Sequence, residues 1–342
     1  MHLFKALIAL IIIVAVLGVA ALGGAWLWME SEMTGPGPHV ASAEFTIERG
    51  DGLSIVADRL EEQGLVTRAD LLKIYARAHS LDTGVKAGTY VIAASASAAE
   101  ILNQLVEGDV KLLRLTIPEG LTTAQIIRRV RDSDLLVGSV PEEDYVEGTF
   151  LPDTYVFESG TTRGDFLSRM QIAQSDLIDE LWPTRQEGLP ITTPEEAVIL
   201  ASVVEKETGL ATERPLIAGL FTARLKRGMR LESDPTVIYG VSGGEPLFNR
   251  YGERRTLYRS ELDRKTDWNT YEMDGLPRTP ICNPGRDAIA AVLQPPDTNY
   301  VFFVADGTGG HLFAETYAEH RANVAVYRAY EREEIARERG NE

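Results

Sequence analysis

Thr192–Gly209, TTPEEAVILASVVEKETG, places a carboxylate inside a helix with almost no polar face. Thr193 can cap, Pro194 suits the first helical position, Glu196 completes a T-x-x-E capping box, and Gly209 supplies a stop. Between these signals Ala197, Val198, Ile199, Leu200, Ala201, Val203 and Val204 point in most directions around the axis, which predicts a largely buried helix. Glu205 then projects beside Val198 and Ala201. A carboxylate on such a face is costly to ionise unless it is paired, so it is expected to hold a proton near neutral pH, as a general acid does. The competing reading is that Glu205 emerges at the helix end, solvated or paired with Lys206 or an arginine.

On either side of this helix the chain of 342 residues has room for two or three cored domains. No charged residue occurs from Ala6 to Met29, roughly 24 residues that reach about 36 Å as a helix, enough to span a bilayer. Lys5 precedes the run and Glu30 and Glu32 follow it, which places residues 1–5 in the cytoplasm and the rest of the chain outside. A cleaved leader is the alternative, with Ala41-Ser42-Ala43 resembling a cleavage site. That triplet lies far beyond an apolar run already longer than a leader needs, which favours a retained anchor.

The single cysteine, Cys282, excludes an internal disulfide and a C-x-x-C metal pattern, and no cysteine near the apolar run could carry a lipid. A formal net charge of −17 disfavours nucleic acid as a partner. His311 and His320 are too isolated for a metal site, no H-E-x-x-H occurs, and Ser202 and Cys282 lack a nucleophile signature. Asp306-Gly307-Thr308-Gly309-Gly310 lacks the Lys-Ser/Thr ending of a phosphate loop and reads as a turn. Acids therefore dominate the remaining chemistry.

Ser31–Pro38 reads as a spacer, with folded structure starting near Phe45. A strand, a turn at Gly50 and a helix through Leu53, Val56, Ala57 and Leu60 come first. A helix over 67–79, a strand over Gly88–Ile92 and a helix capped by Ser97 and Glu100 follow. Thr116-Ile117 with Gly120, capped by Thr122 and Gln125, echoes Thr46-Ile47 with Gly50, which predicts two strand-turn-helix units about 70 residues apart. Chance likeness of two common elements is the alternative. Glu147–Phe157, EGTFLPDTYVF, mixes Glu147, Asp153 and Tyr155 with two phenylalanines, as a sugar groove or a self-burying strand and turn would. Beyond Glu205 a helix over 213–227 is expected, then a hairpin over Tyr300–Val304 and Gly310–Phe313, and a last helix opened by Thr316 and Glu319.

Taken in order, these motifs resemble the YceG-like family of endolytic murein transglycosylases, the MltG type. The resemblance is carried by Glu147-Gly148, Phe150, Pro152-Asp153-Thr154-Tyr155, Leu200 to Thr208, Arg230-Leu231, Ser233 to Gly240, Asn269-Thr270-Tyr271, Gly275-Leu276-Pro277, Asn283-Pro284-Gly285 and Val304 to Gly307. It covers nearly the whole chain. It implies a bacterial inner-membrane enzyme, single-pass with a cytoplasmic N-terminus and a periplasmic catalytic domain, that cuts nascent peptidoglycan strands internally and so limits strand elongation. A LysM-like glycan-binding module is implied over Phe45 to about Gly108. The family's catalytic glutamate falls on Glu205, and Tyr155, Glu147, Asp234, Thr236, Asn269, Tyr271 and Asn283 become candidate substrate contacts. Trp268, where a tyrosine is common, and Cys282, where a small residue is expected, depart from the pattern.

The expected fold class is α+β: a single N-terminal transmembrane helix, a LysM-like module and a C-terminal mixed α/β catalytic domain. The expected boundaries are a tail over 1–5, a membrane helix over 6–29, a linker over 30–43, the LysM-like subdomain over 44–112, a second β-α unit over 113–180, the catalytic domain over 181–332 and a charged tail over 333–342. The implied chemistry closes the muramic acid C6 hydroxyl onto C1, needs one carboxyl, and calls for no metal or organic cofactor. Glycan strands and the cytoplasmic membrane are the expected partners, with peptidoglycan synthases as candidates. Two rivals stand: a non-catalytic LysM-type scaffold, and a hydrolytic muramidase using Glu205 with Glu147 or Asp234.

Overall fold

The computed structural model describes residues 2–340; Met1 of the expected N-terminal tail and residues 341–342 of the charged tail lie outside them. The chain is mixed α+β and divides into two compact units, Met1–Arg114 with Val156–Thr161, and Leu115–Tyr155 with Thr162–Glu342.

The first unit opens with α1 (His2–Thr34), whose stretch Leu7–Thr34 is apolar enough, at mean hydropathy 2.9, to be a membrane span or a leader by length and composition. The helix runs past the expected end at Met29, and the following residues are not a free spacer. Met29 and Met33 are buried in the unit's core, Glu30 meets His79 at 2.9 Å, and Gly37 and His39 hydrogen-bond the loop at residues 93–95. Apolar methionines one helical turn apart find a face to pack against, which extends the helix.

Next come β1 (Ala43–Ile47), α2 (Leu53–Glu62), α3 (Ala69–Ala78), β2 (Gly88–Ile92) and α4 (Ala98–Glu107). β1 and β2 pair antiparallel with Phe45 opposite Tyr90. Alternation turns Phe45, Ile47, Tyr90 and Ile92 inward onto Val56, Leu60, Leu72, Ile101 and Leu105. Ser97 and Glu100 form the expected capping box of α4.

Two short strands, β3 (Leu112–Thr116) and β4 (Thr154–Glu158), pair with each other, and the division between the units falls within both. β3 leads through Gly120 to α5 (Thr123–Arg131), capped by Thr122 and Gln125. Gly50 (φ +97°) and Gly120 (φ +74°) both adopt the left-handed conformation between a strand and a helix, so the strand-turn-helix echo extends to the backbone.

The second unit continues with α6 (Arg163–Leu181), α7 (Pro194–Glu207), α8 (Arg214–Lys226), α9 (Asp234–Ser242), α10 (Arg259–Leu262), α11 (Arg286–Leu293), the antiparallel hairpin β5 (Phe302–Ala305) with β6 (His311–Ala314), and α12 (Tyr317–Gly340). Its core is the meeting of α7, α8 and α11 through Leu200, Val203, Val204, Phe221, Ile289 and Val292. Leu177 of α6 joins the same core, so the chain has no break at residue 180. The hairpin starts two residues later than its sequence pattern suggests, its first pair being Phe302 with Ala314.

Candidate active site

Helix α7 begins where its capping box dictates, with Thr193 Oγ1 accepting from Glu196 N and the Glu196 carboxylate accepting from Thr193 N. This phase buries Val203 and Val204 and brings Glu205 to the last turn, its side chain only 5% exposed. Glu205 Oε2 accepts from the Gly285 amide at 3.0 Å, and Oε1 lies 3.3 Å from Arg214 Nη2. The purely apolar setting read from the helix is thus corrected. Arg214 comes from the start of α8, and its charge faces the carboxyl that the helix alone would leave unpaired.

The same Arg214 Nη2 is 3.3 Å from Glu119 Oε2, and Nη1 is 3.4 Å from Asp287 Oδ2. Two carboxyls therefore share one buried guanidinium nitrogen. Glu119 is held above the ordinary carboxylate range, mainly by burial and then by the charge of Glu205, with Arg214 pulling the other way. A Cβ at Gly285 would lie 1.8 Å from Glu119 Oε1, so a larger residue there would displace the Glu119 carboxyl from this position. Around these groups the loop after β3 is laced to the loop before α11. Gly120 N donates to Asn283 O, Asn283 N donates to Leu121 O, and Lys206 Nζ donates to Gly120 O. A cavity of 420 Å³ opens beside this lacing, lined by Glu119, Lys206, Ile238, Tyr239, Leu247 and Arg255 among others.

Several other expected contacts are occupied within the protein. Glu147 accepts from Thr123 N and Asn283 Nδ2 on Oε1 and from the Tyr239 hydroxyl on Oε2, while its own burial lifts its pKa. Asn283, fully buried, also accepts from Phe150 N. Thr236 Oγ1 donates to Ser233 O and bonds Thr270, and Asn269 Nδ2 donates to the carbonyls of Leu262 and Arg264. Tyr155 is buried with its hydroxyl donating to Leu151 O. Asp234 accepts from the Tyr271 hydroxyl at 2.7 Å, and both residues line a second cavity of 440 Å³. Glu207 lines it too; burial pushes its carboxyl up to about 7, with the Ser233 hydroxyl opposing and the Asp234 charge adding. His311 is paired with Glu213, and the Cys282 thiol is raised by burial and rests against Ser202 O. Among the described residues no group of three His, Cys, Asp or Glu side chains is placed to hold a metal ion.

The sequence profile of the YceG-like family matches residues 45–326, most of the chain. The chain belongs to the YceG-like family. Among curated relatives, a Streptococcus pneumoniae protein named endolytic murein transglycosylase is 28% identical over 327 residues, covering 82% of this chain. The match spans only 57% of that relative's length. A Bacillus subtilis protein of the same name is 23% identical, with 90% of this chain and 91% of the relative covered. A crystal structure of a YceG-like protein from Listeria monocytogenes is 25% identical over 82% of this chain and 98% of that one, with a TM-score of 0.49, too loose a likeness to compare positions.

Within this YceG-like chain, reading along the sequence missed Glu119, Arg214 and Gly285 as members of the Glu205 cluster. Gly285 belongs to the Asn283-Pro284-Gly285 stretch that carries the resemblance and Glu119 precedes the Gly120 turn, but neither position was expected beside Glu205. An arginine at the start of a helix is the one odd sign for Arg214, because a cation there opposes the helix dipole unless something else holds it.

Proposed function

We propose that this chain is a membrane-anchored endolytic lytic transglycosylase that cuts the MurNAc-GlcNAc bond of nascent peptidoglycan strands and leaves 1,6-anhydro-MurNAc ends. The observation that carries the reading is the Glu205 carboxyl, fixed by the Gly285 amide and by Arg214, whose guanidinium also meets Glu119 in the lining of the 420 Å³ cavity. The family and the names of its curated relatives support the same reaction. Scission needs a proton on the departing glycosidic oxygen and removal of one from the C6 hydroxyl as its oxygen closes onto C1. No external water enters, so one carboxyl can serve both steps in turn. Glu205 takes part in this proton transfer.

Glu147, Tyr155, Thr236, Asn269 and Asn283 spend their polar atoms on the frame, and Asp234 and Tyr271, which keep polar atoms at a cavity, are the stronger candidates for sugar contact. The α1 helix anchors the chain in the cytoplasmic membrane with residues 1–5 inside and the rest periplasmic, where peptidoglycan synthases are candidate neighbours. Residues 44–112 serve as the LysM-like glycan-binding module, a role suited to a small unit with its own core.

The test is mass spectrometry of products from purified strands with wild-type protein and Glu205→Gln. Wild type is expected to give anhydro ends, lighter than hydrolytic ends by one water, about 18 Da, and the variant to bind strands yet lose cleavage by 10²- to 10⁴-fold or more. Reducing ends would convert the reading to a muramidase. Absence of any cleavage by wild type would leave the scaffold reading, and a fully active Glu205→Gln would remove the site assignment.

A further inference from the structure

We propose that Glu119 is a second catalytic carboxyl, the acid that meets the glycan, working with Glu205 across the guanidinium they share. The inference rests on the lyase reading and divides that reading's two proton steps between two side chains.

Exposure separates their roles. Glu119 lines the 420 Å³ groove with a side chain 43% exposed, whereas Glu205 is 5% exposed. Both oxygens of Glu205 face donors, the Gly285 amide and Arg214, and neither donor can relay a proton onward to a leaving group. Glu119 Oε2 and Glu205 Oε1 are each 3.3 Å from Arg214 Nη2, hence at most twice 3.3 Å apart. That is close enough for a proton gained by one to return to the other through a single water or a side-chain swing. The surroundings also favour a proton on Glu119. Glu205, Asp287 and Asp153 face it with negative charge, Arg214 faces it with positive charge, and Lys206 lines the same groove; burial and Glu205 together outweigh Arg214 and lift its proton affinity. Gly285 makes the arrangement possible, because any side chain there would occupy the position of the Glu119 carboxyl.

The step balances without a co-reactant. The Glu119 carboxyl gives its proton to the glycosidic oxygen as the C1–O bond breaks. The C6 oxygen bonds C1, and its proton passes to the Glu205 carboxylate. Transfer of that proton from Glu205 to Glu119 restores the starting state.

The experiment compares wild type, Glu119→Gln and Glu205→Gln on purified glycan strands and on a muramoyl glycoside carrying a 4-nitrophenoxide leaving group, which departs without protonation. Glu119→Gln is expected to lower kcat on strands by about 10²- to 10⁴-fold with little change in KM, yet by less than about tenfold on the aryl glycoside, while Glu205→Gln is impaired on both. The fall of wild-type strand cleavage with rising pH should also be missing from the residual Glu119→Gln activity. Equal losses on the two substrates, or wild-type kcat on strands, would overturn the proposal while the lyase reading stands. A wild-type protein that cleaves neither substrate would overturn the lyase reading itself. Should glutamine weaken the fold, Glu119→Asp, which withdraws the carboxyl by one methylene, supports the same comparison.

Discussion

Replacing Glu207 with glutamine is expected to change how stability depends on pH. Glu207 closes α7, and its Oε1 is sealed from solvent without a hydrogen-bond partner among the described residues. Its carboxyl titrates near 4.5 when unperturbed and is pushed up to about 7 by burial. The folded chain therefore holds the proton more tightly than the unfolded one. The resulting stability is whole below pH 4.5 and is lost as the pH rises through 7. At about 1.36 kcal/mol per pKa unit, that loss is about 3 kcal/mol, a large share of an ordinary domain's stability. Glutamine fills nearly the same volume and carries no charge at any pH. Urea unfolding of both chains at pH 5 and pH 8 isolates the effect, because every other titrating group is common to the two. Wild type should lose about 2.5 kcal/mol more than Glu207→Gln between those values, since part of the full effect is already gone at pH 5. Parallel losses in the two chains would refute the reasoning, since they would mean that Glu207 ionises as freely folded as unfolded.

Two further outcomes follow from the first unit. A truncation beginning near residue 24 should keep the full stability of that unit, whereas one beginning at residue 35 loses the buried Met29 and Met33 and should unfold at lower urea, by about 3 to 6 kcal/mol of apolar burial. Equal midpoints for the two truncations would show that the end of α1 is not part of the core. Gly50→Val, placed at φ +97° with nothing within 4 Å of the added carbon, should cost about 1 to 3 kcal/mol through the backbone alone and weaken binding of long strands more than cleavage of short ones. Equal effects on long and short substrates, with the fold intact, would remove the binding role from this module.

What the amino-acid order determined by itself is local. Thr193 with Glu196, Ser97 with Glu100 and Thr122 with Gln125 sit three residues apart, so each capping box is settled by the geometry of a single helical turn. The apolar run of α1, the left-handed glycines at 50 and 120 and the buried face of α7 are likewise legible, because each needs only its immediate neighbours. The start of β5 was less legible, since the apolar run from Tyr300 to Val304 has no break and only the pairing of Phe302 with Ala314 marks where the strand begins. The end of α1 depended on a core that α3 and α4 complete. Glu205 could be singled out from its helix, but its charge environment could not, because Glu119, Arg214 and Gly285 reach it from three other places along the chain. A carboxyl's helix tells which way it points. Only the packing of α7 against α8 and α11, with the Gly120 loop laced to Asn283, decides what it meets there. Electrostatic energies vary steeply over a few ångströms in a medium of low polarisability, and distances of that kind are set by tertiary contacts rather than by spacing along the chain.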